Sequence, residues 1–245
     1  MGHNRYLEEF FSLQCAGDVI NAVTPLTRAT KEITEAMGVV RHLKTFFLGR
    51  MRPWTLSPMG DVDLVDIGAG NALASILAVH LLPVHHALAV DKKKRDRPGY
   101  ANVQRFCYIE SDVFLPKWVD ENPLVPSRTS VIVAVHSCGQ LATRIIDIYH
   151  SRPWYIGLVL MPCCNGPQND KKIPTAFRQR ISKYEAWAWW LAERAKGDLF
   201  VDRNVLSPCN AIVVAKKGKE EASGNSRALP EGYGHTKQGH ALHPS

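Results

Sequence analysis

The stretch Leu64-Val65-Asp66-Ile67-Gly68-Ala69-Gly70-Asn71-Ala72 constrains the fold more than any other part of the chain. An apolar run of strand length ends in two glycines and leads straight into an apolar stretch compatible with a helix. A strand that turns through a Gly-x-Gly bend into a helix is a building unit of an open α/β sheet. The glycines let the backbone bend tightly and approach a ligand that any Cβ would push away. Ala87-Leu88-Ala89-Val90-Asp91 reads as a second strand ending in an acid, 21 residues beyond Gly70. At about that distance an acid accepts hydrogen bonds from ribose hydroxyls.

From Asp61 to Lys217 strand-like and helix-like stretches alternate. Strand candidates are Asp63–Ile67, Ala87–Asp91, Gln104–Ile109, Ser130–His136, Tyr155–Met161, Leu199–Asn204 and Ala211–Lys216. Helical stretches cover Ala72–Leu82, Gln140–His150 and Thr175–Lys196. The strands are apolar runs more than alternating ones, as expected where helices cover both faces of a parallel sheet. The last two are joined by a short Leu206-Ser207-Pro208-Cys209 link, which fits a hairpin better than a crossover helix. The predicted fold class is α/β: a Rossmann-like, seven-stranded, mostly parallel sheet with helices on both faces and a C-terminal antiparallel hairpin.

Three segments are expected. Residues 1–60 form a helical N-terminal extension, with helices near 6–22 and 27–50. In the second, Ile33, Met37, Val40 and Phe47 make an apolar stripe interrupted by Lys44, with Arg41, His42, Arg50 and Arg52 adding charge. That charge suits either a solvated flank or a face toward substrate. Residues 61–218 form the ligand-binding domain. Residues 219–245, rich in Gly, Ser, His and Pro, have too few large apolar groups to order themselves and read as a disordered tail.

A chain of 245 residues fits one such domain with extensions, and 45% hydrophobic content supplies its core. The formal charge of +7 favours an acidic partner, nucleic acid foremost, or marks a merely soluble basic protein. The six cysteines show no C-x-x-C pair and several fall in candidate strands, so reduced thiols are expected. No apolar run approaches the roughly 20 residues of a membrane span, and no signal-peptide core follows the N-terminus. A cytoplasmic location is expected, with an organellar or nuclear one left open.

The Gly-x-Gly unit admits a dinucleotide or S-adenosylmethionine (SAM). A dinucleotide loop wants G-x-G-x-x-G, and here the third position is Leu73. Asp66, directly before the loop, suits a cationic amino-acid moiety better than a pyrophosphate. The pattern resembles the class I SAM-dependent methyltransferases, whose first strand ends D/E-x-G-x-G-x-G. This chain supplies Asp66, Gly68 and Gly70, with Ala72 where the third glycine normally sits. The resemblance implies SAM as cofactor, held by Asp66, Gly68, Ala69 and Gly70, with Asp91 and Lys92 at the ribose. Asp112 and Val113 would lie at the adenine, although Asp112 also suits a turn or cap.

Two further strand ends narrow the resemblance. Strand four closes in Val135-His136-Ser137-Cys138-Gly139-Gln140-Leu141-Ala142, and strand five in Leu160-Met161-Pro162-Cys163-Cys164. An H-x-C-G-x-L-A followed by P/G-C-C is similar to a branch that includes tRNA 2′-O-methyltransferases and related methyltransferase-like proteins. By that resemblance His136, Cys138, Cys163 and Cys164 would gather near the reacting methyl group, and no metal is implied. His136 is the candidate general base and also a candidate to shape the cofactor pocket. The cysteines are nucleophiles, metal ligands or packing residues. Lys92, Lys93, Lys94, Arg95 and Arg97 give five positive charges in six residues, a rim for RNA phosphate or a solvated loop. Trp187, Trp189 and Trp190 read mainly as core. The function expected is methyl transfer from SAM, most directly to RNA (tRNA or rRNA). Other readings are a protein acceptor such as a ribosomal component, or a catalytically inactive ribosome-assembly factor.

Overall fold

A computed structural model of the chain describes residues 3–47, 62–93, 95, 97–115, 118, 129–163 and 182–218. The expected tail 219–245, the end of the long helix beyond 47 and the stretch from 164 to 181 lie outside the described residues.

The expected helix near 6–22 is two helices, α1 (Arg5–Ser12) and α2 (Ala16–Val23), because the chain turns extended at Leu13. Asn4 caps α1 by accepting from the backbone N–H groups of Tyr6 and Leu7 at 3.0 and 3.2 Å. The long helix α3 spans Ala29–Phe47. Seven strands follow: β1 (Asp63–Ile67), β2 (Ala87–Asp91), β3 (Phe106–Glu110), β4 (Ser130–Val135), β5 (Tyr155–Met161), β6 (Asp198–Val201) and β7 (Ala211–Lys216). Helices α4 (Leu73–Leu81), α5 (Gln140–Ser151) and α6 (Lys183–Ala195) stand between them, and a 3₁₀ turn covers Pro98–Asn102. A capping box fixes the start of α6: Ser182 accepts from the Glu185 N–H while the Glu185 carboxylate accepts from the Ser182 N–H.

The strands join in one sheet of order β3-β2-β1-β4-β5-β7-β6. The pairs from β3 through β5 are parallel, and β7 runs antiparallel between β5 and β6. The sheet is therefore Rossmann-like, with the expected hairpin at its C-terminal edge. Chain order reverses between β1 and β4, and the carboxyl ends of these strands form the crevice where open α/β sheets bind ligands. One layer (α3, α4) buries its apolar face against one side of the sheet, and α5 and α6 cover the other. Every residue of β1 is buried. Leu64, Val65 and Ile67 each gain about 1.5–3 kcal/mol from that burial, enough together to carry the polar Asp66 between them.

The helix over Ala29–Phe47 is part of the covering layer. Ile33, Met37, Val40 and Phe47 of the expected stripe are buried, and Leu43 and Phe46 join them. Gly157 of β5 lets Phe46 lie on the sheet, since a Cβ there would stand 2.2 Å from the ring. Of the helix's expected basic flank, His42 packs on Phe200 at 4.7 Å, whereas Arg50 and Arg52 lie outside the described residues. Trp187 is buried in α6 and stacks on Trp190 at 5.0 Å.

Candidate active site

The Gly loop closes over the end of β1 and is tied down on three sides. Gly68 and Ala69 donate their N–H groups to the Val90 carbonyl at 2.8 and 3.1 Å. The Gly70 N–H donates to Asp91 Oδ2 at 2.9 Å, and the Lys93 N–H to the other Asp91 oxygen at 3.2 Å. From below, the Tyr108 hydroxyl donates to the Gly70 carbonyl and the Tyr100 hydroxyl to the Asn71 carbonyl, both at 2.9 Å. The two tyrosine rings stack at 5.5 Å, and burial pushes the Tyr100 phenol up to about 12, so it remains a donor. Neither tyrosine was marked by the sequence motifs.

Gly68, Gly70 and Ala72 all have left-handed backbones (φ +72°, +56° and +56°). At Gly68 a side chain would also press on Leu141 at 3.0 Å. At Gly70 a Cβ would meet nothing within 4 Å and would stand in the open space above the loop. Ala72 thus holds a left-handed backbone without being a glycine, at a strain of roughly 1–2 kcal/mol.

That open space is a half-enclosed cavity of about 520 Å³, bounded by the Gly loop, the end of β4 and the first turns of α3. Asp66, Gly68, Ala69, Gly70 and His136 line it. Asp66 is fully buried: Ser75 donates to its Oδ2 at 2.7 Å, and its Oδ1 has no partner among the described residues. Burial, with the nearby Asp91 charge adding to it, pushes its pKa up to about 7 despite the Ser75 bond. An ionised carboxylate there lacks a cation, and the cavity is where one can be supplied.

The remaining expected cofactor residues stand outside this lining. Asp112 pairs with Lys92 at 3.0 Å and accepts from the Phe114 N–H at 3.0 Å; that backbone bond, with Lys92 second, holds its carboxyl below the usual range. Val113 is buried beneath that turn. Asp91 is bonded to the loop itself, so a ribose would meet a carboxylate that already accepts two backbone N–H groups.

The expected basic rim divides. Arg95 and Arg97 turn toward the cavity and line it, Lys92 is occupied with Asp112, Lys93 is exposed, and Lys94 lies outside the described residues.

The cysteines depart from expectation. Cys138 and Cys163 are joined as a disulfide across the ends of β4 and β5, with their Cα atoms 5.6 Å apart. Each already has a sulfur partner, so neither is the free nucleophilic thiol of the sequence reading, and the expectation of reduced thiols fails for this pair. Cys209 Sγ donates to the Cys163 carbonyl at 2.8 Å. Cys164 lies outside the described residues.

His136 follows β4 immediately, with φ +62°, and its ring enters the cavity. Its Nε2 lies 2.6 Å from Glu35 Oε2 and 3.0 Å from Lys31 Nζ. Lys31 also pairs with Glu35 Oε1 at 2.7 Å. Burial pushes the Glu35 carboxyl up, and the hydrogen bonds from His136 and Lys31 outweigh it, leaving its pKa below the ordinary carboxylate value. Glu32 binds the Gly loop through Asn71, whose amide donates at 2.5 Å. Lys31, Glu32 and Glu35 were not singled out by the sequence reading. The available signal was Glu35 itself, an acid set between Thr34 and Ala36 on the buried face of an amphipathic helix.

A family model for a methyltransferase domain matches residues 28–168. No curated protein matches the chain. Among solved structures, a putative tRNA (m1A22) methyltransferase from Streptococcus pneumoniae is 16% identical over 66% of this chain and 66% of its own, with a TM-score of 0.38. An O-methyltransferase family protein from Burkholderia thailandensis is 11% identical over 87% of this chain and 63% of its own, TM-score 0.40. A precorrin-6y C5,15-methyltransferase from Geobacter metallireducens is 18% identical over 65% and 82%, TM-score 0.36. The chain thus spans just under two thirds of the first two relatives, and these figures decide neither substrate nor mechanism.

Proposed function

The chain belongs to the methyltransferase-domain family, and from that premise we propose that it moves a methyl group from SAM to RNA. One observation carries the cofactor: Asp66, whose buried Oδ1 has no partner among the described residues, lines the same cavity as Gly70, whose Cβ side is open. The amino group of the methionine moiety is a cation with N–H donors, which is what that oxygen lacks. Gly70 leaves room for the adenosyl part to approach the backbone. Bound there, SAM would supply an activated methyl on a sulfonium. The protein's own task is then to hold donor and acceptor in line and to keep water out.

The RNA acceptor is supported by Arg95 and Arg97 at the cavity, by exposed Lys93 beside them, and by the overall charge of +7. Phosphates near a methyl acceptor would meet these guanidinium groups, which bind phosphate in a bidentate fashion. The test is calorimetric titration with SAM, followed by labelled-methyl transfer to total cellular RNA and protein. Binding, with label released by ribonuclease, is the expected result. Label surviving ribonuclease and lost on proteolysis would move the acceptor to protein, and no SAM binding would overturn the enzymatic reading.

A further inference from the structure

One wall of the cavity carries a charged arrangement of Lys31, Glu35 and His136. Glu35 is 1% exposed and His136 is half-buried beside it. With its pKa held low, Glu35 is ionised at neutral pH, and an ionised carboxylate only accepts hydrogen bonds. At 2.6 Å from Glu35, Nε2 must therefore carry the proton. The Lys31 ammonium stands 3.0 Å from the same nitrogen and forms an ion pair with Glu35 Oε1 at 2.7 Å, which stabilises the ionised carboxylate beside the ring. The lone pair is left on Nδ1, which bonds to no described residue. His136 also holds a left-handed backbone, a strain of the order of 1–3 kcal/mol that persists only where the surroundings dictate it.

We propose that Glu35 is a positioning residue that locks His136 in the Nε2–H tautomer, so that Nδ1 takes the proton from a protic methyl acceptor, X–H. The inference rests on the methyl-transfer reading above. As X attacks, the X–H proton passes to Nδ1 and the electron pair of X bonds the methyl carbon. The C–S bonding pair stays on sulfur, and the new imidazolium charge is balanced by Glu35. The other ionisable groups lining the same cavity are Arg28 just before α3, Lys31 and Glu32 on α3, Asp66 on β1, and Arg95 and Arg97 after β2, while Tyr184 on α6 senses the Glu35 charge.

The test has two arms. In the first, the ring nitrogens of His136 are observed by ¹⁵N NMR on the ligand-free protein. The wild type is expected to carry its proton on Nε2. Glu35→Gln, whose carbonyl still accepts, is expected to keep that preference, and Glu35→Leu to lose it. In the second arm, SAM affinity by calorimetry is expected to stay within about threefold in both variants. Over the same series kcat should fall about tenfold in Glu35→Gln and about a hundredfold in Glu35→Leu, the latter at the lower edge of the range for losing general-base catalysis outright. The acidic limb of the kcat–pH profile is also expected to move to lower pH in Glu35→Gln, which a purely structural role would not produce. If Glu35→Leu does not fold, the Gln variant and the wild-type tautomer still decide. A wild-type proton on Nδ1, or Glu35→Gln with wild-type kcat and pH profile, overturns the proposal. Failure of the wild type to bind SAM overturns the methyl-transfer reading and the proton step with it, whatever the tautomer.

Discussion

Replacing Asp66 by Asn should make the free protein more stable than the wild type as the pH rises. In the folded chain the Asp66 carboxyl titrates at about 7, against 3.8 for the unperturbed group. The separation of about three pH units corresponds to about 4 kcal/mol for holding the ionised form in the fold. The sign follows from proton counts. Between pH 4 and 7 the folded state keeps a proton that the unfolded chain has released, so stability falls as pH rises through that window and levels off above it. Integrated from pH 5 to pH 8, the loss is about 2.6 kcal/mol. Asn has no such dependence. Its carbonyl can keep the Ser75 hydrogen bond, and its unpaired amide costs a pH-independent amount of about 1–3 kcal/mol, which cancels when the two pH values are compared. Groups common to both proteins cancel in the same way. The assay is urea unfolding of both proteins at pH 5, 6, 7 and 8. The stability difference is expected to swing by about 2–3 kcal/mol in favour of the Asp66→Asn variant across the series. A difference constant to within about 0.5 kcal/mol would show that the carboxyl is not raised and that the cavity needs no cation.

The same titration should govern the ligand: SAM affinity in the wild type, measured calorimetrically, rises as pH passes through 7, because only the ionised Asp66 pairs with an ammonium group, and in Asp66→Asn the rise disappears. Gly70→Ala places a methyl in open space at φ +56°, so unfolding should show a loss of only about 1–2 kcal/mol while SAM binding falls tenfold or more. In Arg95→Ala/Arg97→Ala, the slope of log affinity for single-stranded RNA against log salt should shrink by about 1.4, with SAM affinity unchanged. Glu35, with its pKa held low, adds stability that is present above the ordinary carboxylate range and is lost as pH falls through its folded value. Acid unfolding of Glu35→Gln should therefore be less steep than that of the wild type.

The sheet was legible because its signal is local. A strand covered on both faces is an apolar run with punctuated ends, and five of the seven expected strands begin at the residue observed. The site was legible only where it coincides with those ends. Asp66, Gly68, Gly70 and His136 stand at the carboxyl termini of β1 and β4, and parallel pairing brings such termini together whatever the connections between them. Sequence pattern carried no conformational detail: nothing in Gly68-Ala69-Gly70-Asn71-Ala72 says that Ala72 would take up the left-handed turn itself. Nor did it show that the basic loop divides, because Lys92 turns to Asp112 and Arg95 to the cavity through contacts the loop cannot specify alone.

The contribution of α3 was hidden for a different reason. Its periodicity reports which residues are buried, not what they are buried against, and Glu35 lies 101 positions from the histidine it binds. The constraint was nevertheless present in the helix. Removing one partner of a buried ion pair costs about 3–5 kcal/mol, more than the burial of neighbouring Ile33 returns. A glutamate between Thr34 and Ala36 on a core-facing stripe therefore needs a cation or a donor within reach across the sheet. Lys31, one turn away on the same helix, answers half of that need. The other half must come from a strand end, and of the described strand ends beneath this helix, β4 offers an ionisable donor in His136. An acid on a core stripe is thus a pointer across the fold: it predicts that a polar partner, and with it a functional surface, lies on the element beneath.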